Sequence, residues 1–138
     1  MEKCYKFNLK GFNNGGTLIP LEPEVNVPFE VKRIFYTFGM DGEDLRGNHA
    51  YHKTKQVLIA MSGNLEVRCF DGKKEYLFKL DNPEEALYIS PNIWRTTFNH
   101  SKDAVLLILS SEEYSEEDYI RSYNEFMMCV ARQYKRGV

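Results

Sequence analysis

Apolar and polar residues along this chain alternate in short runs broken by turn-forming residues, a pattern of many short strands. Leu65, Val67 and Cys69 alternate with Glu66 and Arg68, which predicts a strand with one buried and one wet face. Asp71-Gly72 follows and predicts a two-residue type I′ hairpin leading into the alternating Tyr76, Phe78 and Leu80. Further strand-like runs are Thr17-Leu18-Ile19, ending at Pro20, then Val31 to Phe38, Gln56 to Met61, Asn64 to Phe70, Ala86 to Ser90, Trp94 to Phe98 and Ala104 to Ser110. Ser62-Gly63 reads as a turn, and Gly39 to Gly47, polar and carrying three glycines, as a loop. The period changes in the last third. Ser115 is a good N-cap, Glu116, Glu117 and Asp118 suit a first turn, and Arg132, Lys135 and Arg136 suit a last one. Between them Ile120, Tyr123, Met127, Val130 and Tyr134 step by three and four. The expectation is one domain over 1–138: an all-β double-sheet roll with its core at about 16–111, and a C-terminal helix at about 115–134 packed outside.

Composition narrows the function. With 138 residues, 43% of them hydrophobic and 28% charged, the chain suits one globular domain. A formal net charge of −2 excludes a generally basic surface for nucleic acid. The longest apolar run, Ala104 to Leu109, is too short to cross a bilayer, and the start lacks the apolar stretch of a signal peptide. Cys4, Cys69 and Cys129 fit neither a disulfide framework nor a zinc pattern and read as buried, reduced thiols of a cytoplasmic protein. Nine Tyr, nine Phe and one Trp suit a strand-rich core and leave rings to spare for a pocket.

Candidate chemistry gathers around Arg46-Gly47-Asn48-His49-Ala50-Tyr51-His52, with Gln56 and Gly63 beyond it. On a strand His49 and Tyr51 share a face and His52 takes the other, so an inward His49 leaves His52 at the surface. One His, one Tyr and a neutral Gln make a poor metal site, since catalytic zinc or iron needs about three His or carboxylate ligands. His100 follows Asn99 and reads as a loop residue. Arg33, Arg46 and Arg95 lie on or beside the strands expected to border the pocket. A guanidinium fork matches phosphate, and Trp94 beside Arg95 offers a stacking ring, so an anionic ligand such as a nucleotide diphosphate fits.

The spacing of His49, Tyr51, Gln56 and Gly63 is similar to that of the cupins, with Tyr51 and Gln56 standing where metal-binding cupins place His and Glu. More specifically, the chain resembles the sugar-nucleotide 3,4-ketoisomerases, metal-free cupins that act on dTDP-4-keto-6-deoxyhexoses. The resemblance runs from about Gly16 to Phe126. It rests on Gly16-Thr17-Leu18, Pro28-Phe29, Lys32-Arg33, the His49 stretch with Gln56, Asp71-Gly72, Leu87 to Trp94, Ser111 to Tyr114, Asp118 to Arg121, Tyr123 and Phe126.

That resemblance implies a cupin jelly-roll barrel and an intramolecular oxidoreductase that needs neither metal nor redox cofactor. Its substrate is a dTDP-linked keto-deoxysugar. His49 is the implied shuttle that removes the C3 proton and returns it at C4 through an enediol or enediolate, and Tyr51 is a candidate donor to the enolate oxygen. Arg33 and Arg46 are the phosphate candidates, Tyr36 and Trp94 the packing candidates, and Gln56 and Arg95 complete the substrate-binding set. Family members commonly carry His at the position of Tyr51, Tyr at Phe35 and Arg or Tyr at Gly15, while the Arg95 position varies between His and Arg. A homodimer is also implied. Two alternatives remain open: a nucleotide-sugar-binding cupin without turnover, and an epimerase on the same substrate class.

Overall fold

A computed structural model describes residues 3–41 and 43–136; the expected loop residue Gly42 and residues 1, 2, 137 and 138 of the expected domain lie outside them. The strands are β1 (Cys4–Asn8), β2 (Phe12–Asn13), β3 (Thr17–Leu18), β4 (Arg33–Phe38), β5 (Arg46–Tyr51), β6 (Gln56–Ser62), β7 (Leu65–Phe70), β8 (Glu75–Leu80), β9 (Glu85–Ile89), β10 (Trp94–Phe98), β11 (Val105–Ser110) and β12 (Tyr119–Ile120), followed by helix α1 (Tyr123–Lys135). Two antiparallel five-stranded sheets, ordered β1-β9-β6-β11-β4 and β12-β5-β10-β7-β8, carry the roll, and β2 and β3 form a separate hairpin. The all-β double-sheet roll with one C-terminal helix is therefore the architecture.

Alternation explains the layers. Leu58, Ala60, Leu87, Leu106 and Ile108 of the first sheet meet Leu65, Val67, Cys69 and Leu80 of the second between the sheets. On the far side of the first sheet Val57 and Ile59 are equally buried, which is why β6 reads as a continuous apolar run. Left wet, each would forfeit about 1.5–3 kcal/mol; the connection from β3 to β4 covers them with Ile19, Leu21, Val27, Phe29 and Val31. On the far side of the second sheet α1 seats Phe126 and Val130 against Ala50, Ile120 and the half-buried Phe70 and Trp94.

Three expectations change. The core begins at Cys4: β1 pairs along its whole length with β9, and Cys4 is buried. Its mixed run Cys-Tyr-Lys-Phe-Asn conceals a strand whose Tyr5 and Phe7 pack on the outer cluster. The hairpin after β7 places its two-residue tip one position later, at Gly72-Lys73, with Asp71 N donating to the Lys74 carbonyl. Gly72 has φ +100 and Lys73 is not in the left-handed region, so the tip fits type II′ and not I′. Asp71 Oδ1 accepts from Lys73 N and Lys74 N, which makes Asp71 the flank that fixes the turn.

The third change concerns 115–122. Glu116–Asp118 is a single 3₁₀ turn, β12 follows, and α1 starts at Tyr123 with Ser122 as its N-cap, accepting from Glu125 N. Tertiary pairing overrides the helical pattern here: Tyr119 and Ile120 pair with Tyr51 and Ala50, and Ile120 is buried. Asp118 fastens the segment. Its carboxylate accepts from Lys53 N at 2.7 Å and from the Thr54 hydroxyl, and its carbonyl accepts from His52 N at 2.9 Å. Asp118→Ala removes the acceptor of the buried Thr54 hydroxyl and is expected to cost about 1–3 kcal/mol in urea unfolding; an unchanged midpoint would show that the segment is held by other contacts.

Candidate active site

The open end of the roll holds a cavity of about 380 Å³, bordered by Arg33, Phe35 and Thr37 of β4, by Arg46, Gly47, His49 and Tyr51 of β5, and by Gln56, Leu58, Arg95, Thr97, Leu106, Ile108, Tyr119 and Arg121. Its volume falls in the usual range for small-molecule sites. A larger hollow of about 580 Å³ between Lys32, Lys53 and Glu113 lies on the outside, where Lys32, Lys53 and Glu113 themselves are exposed.

Strand geometry decides who enters. Strict alternation would separate Arg46 from His49, three positions apart. Gly47 at φ +86 and Asn48 at φ +55 break the phase, and the register against β10 shifts between Arg95 and Thr96. A Cβ at Gly47 would lie 3.0 Å from the Arg95 carbonyl, so this bulge needs glycine for its close approach as well as its φ. The shift brings Arg46, His49 and Tyr51 to one cavity. His52 is exposed, as expected. His100 does lie in a loop, yet it is buried, with Nε2 3.1 Å from Thr97 Oγ1.

Two expected contacts are corrected. Arg33, Phe35 and Thr37 point inward on β4, so Tyr36 points outward; it is 64% exposed and stacks on Phe38. Trp94 and Arg95 are neighbours on β10 and take opposite faces. Arg95 is buried between the sheets, while Trp94 lies under α1 with Tyr123 and Phe126 at 5.4 and 5.7 Å. Neither Tyr36 nor Trp94 borders the cavity. Tyr119 and Arg121, which the helical pattern predicts on an external helix, also border the cavity. The only signal was that both lie in the stretch Asp118 to Arg121, already part of the family resemblance.

Arg95 organises the interior. Its Nη1 donates to Gln56 Oε1 at 2.8 Å and its Nη2 to the Ile93 carbonyl at 3.0 Å. The guanidinium carbon lies 4.9 Å from the Tyr51 ring centre. Among the described residues no carboxylate pairs with it, and burial pushes it below its ordinary value. Gln56 passes the network on, Nε2 donating to Ser110 Oγ at 3.0 Å and to the Tyr51 oxygen at 3.3 Å. Burial, then a hydrogen bond to Tyr119, raise the Tyr51 phenol, so it stays protonated.

His49 sits among rings, 4.8 Å from Tyr51 and 5.1 Å from Tyr119 between centres. Its Nε2 is buried and has no hydrogen-bond partner among the described residues. Burial and then the Arg95 charge push the imidazole down to about 4, so it is neutral at pH 7 and carries a free lone pair or N–H. At the mouth, Arg121 makes a two-point ion pair with Glu116 and lies over the Tyr119 ring at 4.1 Å. Arg33 lies over Phe35 at 4.4 Å and donates to the Tyr119 hydroxyl at 3.4 Å. The site thus joins a neutral imidazole, the Tyr51 and Tyr119 rings and a cationic rim, a set suited to moving protons on an anionic ligand.

The family model FdtA, described as WxcM-like, C-terminal, matches residues 3–131. The chain belongs to this family. It is 37% identical over 123 residues to the TDP-4-oxo-6-deoxy-alpha-D-glucose-3,4-oxoisomerase of Aneurinibacillus thermoaerophilus, covering 89% of this chain and 88% of that one. A histidine-to-asparagine mutant of the 3,4-ketoisomerase QdtA from Thermoanaerobacterium thermosaccharolyticum, in complex with TDP-4-keto-6-deoxyglucose, superposes with a TM-score of 0.92 at 32% identity, covering 96% of each chain. The WlaRB TDP-quinovose 3,4-ketoisomerase of Campylobacter jejuni superposes with a TM-score of 0.88 at 42% identity, covering 93% of this chain and 99% of that one.

The depressed His49 has a thermodynamic consequence. Folded, it binds its proton near pH 4; unfolded, near 6.5. The unfolded chain holds more protons between those values, so this group's contribution to stability is lost as pH falls through 6.5 towards 4. His49→Asn is therefore expected to lose less stability than the wild type between about pH 7 and about pH 4 in chemical unfolding. Equal losses would place the imidazole in solvent.

Proposed function

We propose that this chain is a sugar-nucleotide 3,4-ketoisomerase that converts dTDP-4-keto-6-deoxyglucose to a dTDP-3-keto-6-deoxyhexose. The observation that carries the reading is the buried, unpartnered His49 Nε2 in a cavity with a buried Arg95, in a chain whose family relatives bear that activity. His49 in its neutral form takes the proton from C3, which the adjacent ketone acidifies, and the charge that develops on the sugar oxygen faces the Arg95 guanidinium. Returning the proton at C4 completes the ketone transfer. Arg33 and Arg46 at the rim suit the diphosphate. Bound diphosphate adds negative charge near His49 and lifts its proton affinity from the depressed level of the free chain, which improves it as a base.

The donor set also favours a metal-independent reaction. Arg95 Nη1 already donates to Gln56 Oε1, the oxygen that a cation in this cupin position would need, and its charge opposes one. We further infer a homodimer. The outer face of β4, at the edge of its sheet, exposes Ile34, Tyr36 and Phe38, and Phe12, Leu18 and Met61 are exposed as well. A cytoplasmic location accords with a nucleotide-sugar substrate and with Cys4, Cys69 and Cys129 forming no disulfide. No described helix is long and apolar enough to cross a membrane.

Incubation with dTDP-4-keto-6-deoxyglucose in D₂O, followed by proton NMR, tests the reading: the isomerase yields a ketone at C3 and a hydrogen at C4 that is protium where His49 delivers it directly and deuterium where the His49 proton has first exchanged with solvent. Exchange with the ketone still at C4 would indicate an epimerase, and ligand shifts alone a binding protein. His49→Asn is expected to cut turnover by about 10²–10⁴-fold while retaining dTDP binding; an undiminished rate would remove His49 from the chemistry. Activity that survives chelator dialysis is expected, and a loss restored by a divalent ion would refute metal independence. Light scattering is expected to give twice the chain mass, and a monomer would refute the dimer.

A further inference from the structure

Moving a ketone to the neighbouring carbon takes two proton transfers, and one imidazole accounts for only one. On carbon, the C3 hydrogen ends at C4. On oxygen, the O3 hydroxyl proton leaves as O3 becomes the carbonyl, and O4 gains one. While His49 holds the carbon-derived proton, both of its nitrogens are donors and it cannot accept the second.

We propose that Tyr119, supported by Tyr51, carries the oxygen-to-oxygen proton; this rests on the ketoisomerase reading above. Tyr119 stands directly opposite Tyr51 in the β12–β5 pairing, and both rings border the cavity beside His49. Their centres are 4.7 Å apart. Gln56 Nε2 donates to the Tyr51 oxygen at 3.3 Å, and Arg33 Nη1 donates to the Tyr119 oxygen at 3.4 Å. With a guanidinium donor on its oxygen, Tyr119 has its own proton left for the cavity, and a phenolate formed there would face a positive charge. Thr97, another hydroxyl on the wall, is engaged with His100 Nε2. Leu58, Leu106 and Ile108 supply no protic group.

The steps balance. His49 Nε2 takes the C3 proton, the C–H electron pair becomes the C3–C4 double bond, and the C4 carbonyl pair moves to O4, leaving an enediolate that faces Arg95. Tyr119 then gives its proton to O4. The neutral enediol then gives its O3 proton to the Tyr119 phenolate. As the C3 carbonyl forms, the double-bond pair takes the proton from His49 at C4. Both residues return to their starting states, and no oxidant or reductant is involved.

Tyr119→Phe keeps the ring and removes only the hydroxyl. In D₂O, proton NMR reads two quantities: loss of the substrate C3 hydrogen, which His49 alone can perform, and appearance of the C3 ketone, which also needs the relay. Ketone migration is expected to fall by about 10²-fold or more, with C3 exchange within about threefold of wild type. Tyr51→Phe, which removes the hydroxyl of the ring beside Tyr119, is expected to show the same split less strongly. Thermal unfolding and dTDP binding check that each variant is folded. Proportional loss of both signals in folded Tyr119→Phe, or unchanged migration, overturns the relay alone. A wild-type protein showing neither exchange nor migration overturns the isomerase reading and the relay together.

Discussion

A guanidinium buried between two β-sheets loses its hydration, and in this molecule no described carboxylate compensates the Arg95 charge. What holds it is neutral: the Gln56 side-chain oxygen, the Ile93 carbonyl and the face of Tyr51. The positive charge therefore stays uncompensated and is felt throughout the cavity. It helps to depress His49, it opposes a metal ion, and it favours whatever negative charge a ligand brings or develops. A carboxylate at position 56 would pair with Arg95 and cancel this field, so neutral Gln56 is part of the electrostatic arrangement.

Around that charge the fold performs two acts of placement. The Gly47–Asn48 bulge resets the phase of β5 so that Arg46, His49 and Tyr51 reach one cavity. The Asp118 anchor then draws 116–121 over the mouth, setting Tyr119 against Tyr51 and Arg121 against Glu116. One act works through backbone conformation and the other through a buried carboxylate. Both bring rim groups to an imidazole whose ordinary solvation has been removed. The side chains that would be costly to bury unpaired are thus gathered where a polar, anionic ligand can satisfy them.

Family membership and physical chemistry meet in the protic groups of the cavity. Phe35 brings no hydroxyl and packs beneath Arg33, while Tyr51 places a phenol within the hydrogen-bonded network. Tyr119 stands opposite Tyr51 in the β12–β5 pairing, so the phenols of the cavity gather on the β5 and β12 side.

Local pattern alone determined much of this protein. The alternation of Leu65, Val67 and Cys69, the turn residues between runs and the amphipathic C-terminal stretch specify a double-sheet roll with one outer helix, because period and turn chemistry are read over a few residues. The shared inward face of His49 and Tyr51, and the outward His52, followed from the same two-residue period. Tertiary structure decided what depends on distant partners. The mixed edge strand β1 is a strand because β9 pairs with it, and 119–120 leaves its helical pattern because β5 is available. Tyr36 and Trp94 carry suitable rings but sit one step out of phase with Arg33, Phe35 and Arg95, so packing sends them outward. The lowered proton affinity of His49 belongs wholly to this second class, since burial and the Arg95 field exist only once residues 46 positions apart are enclosed together.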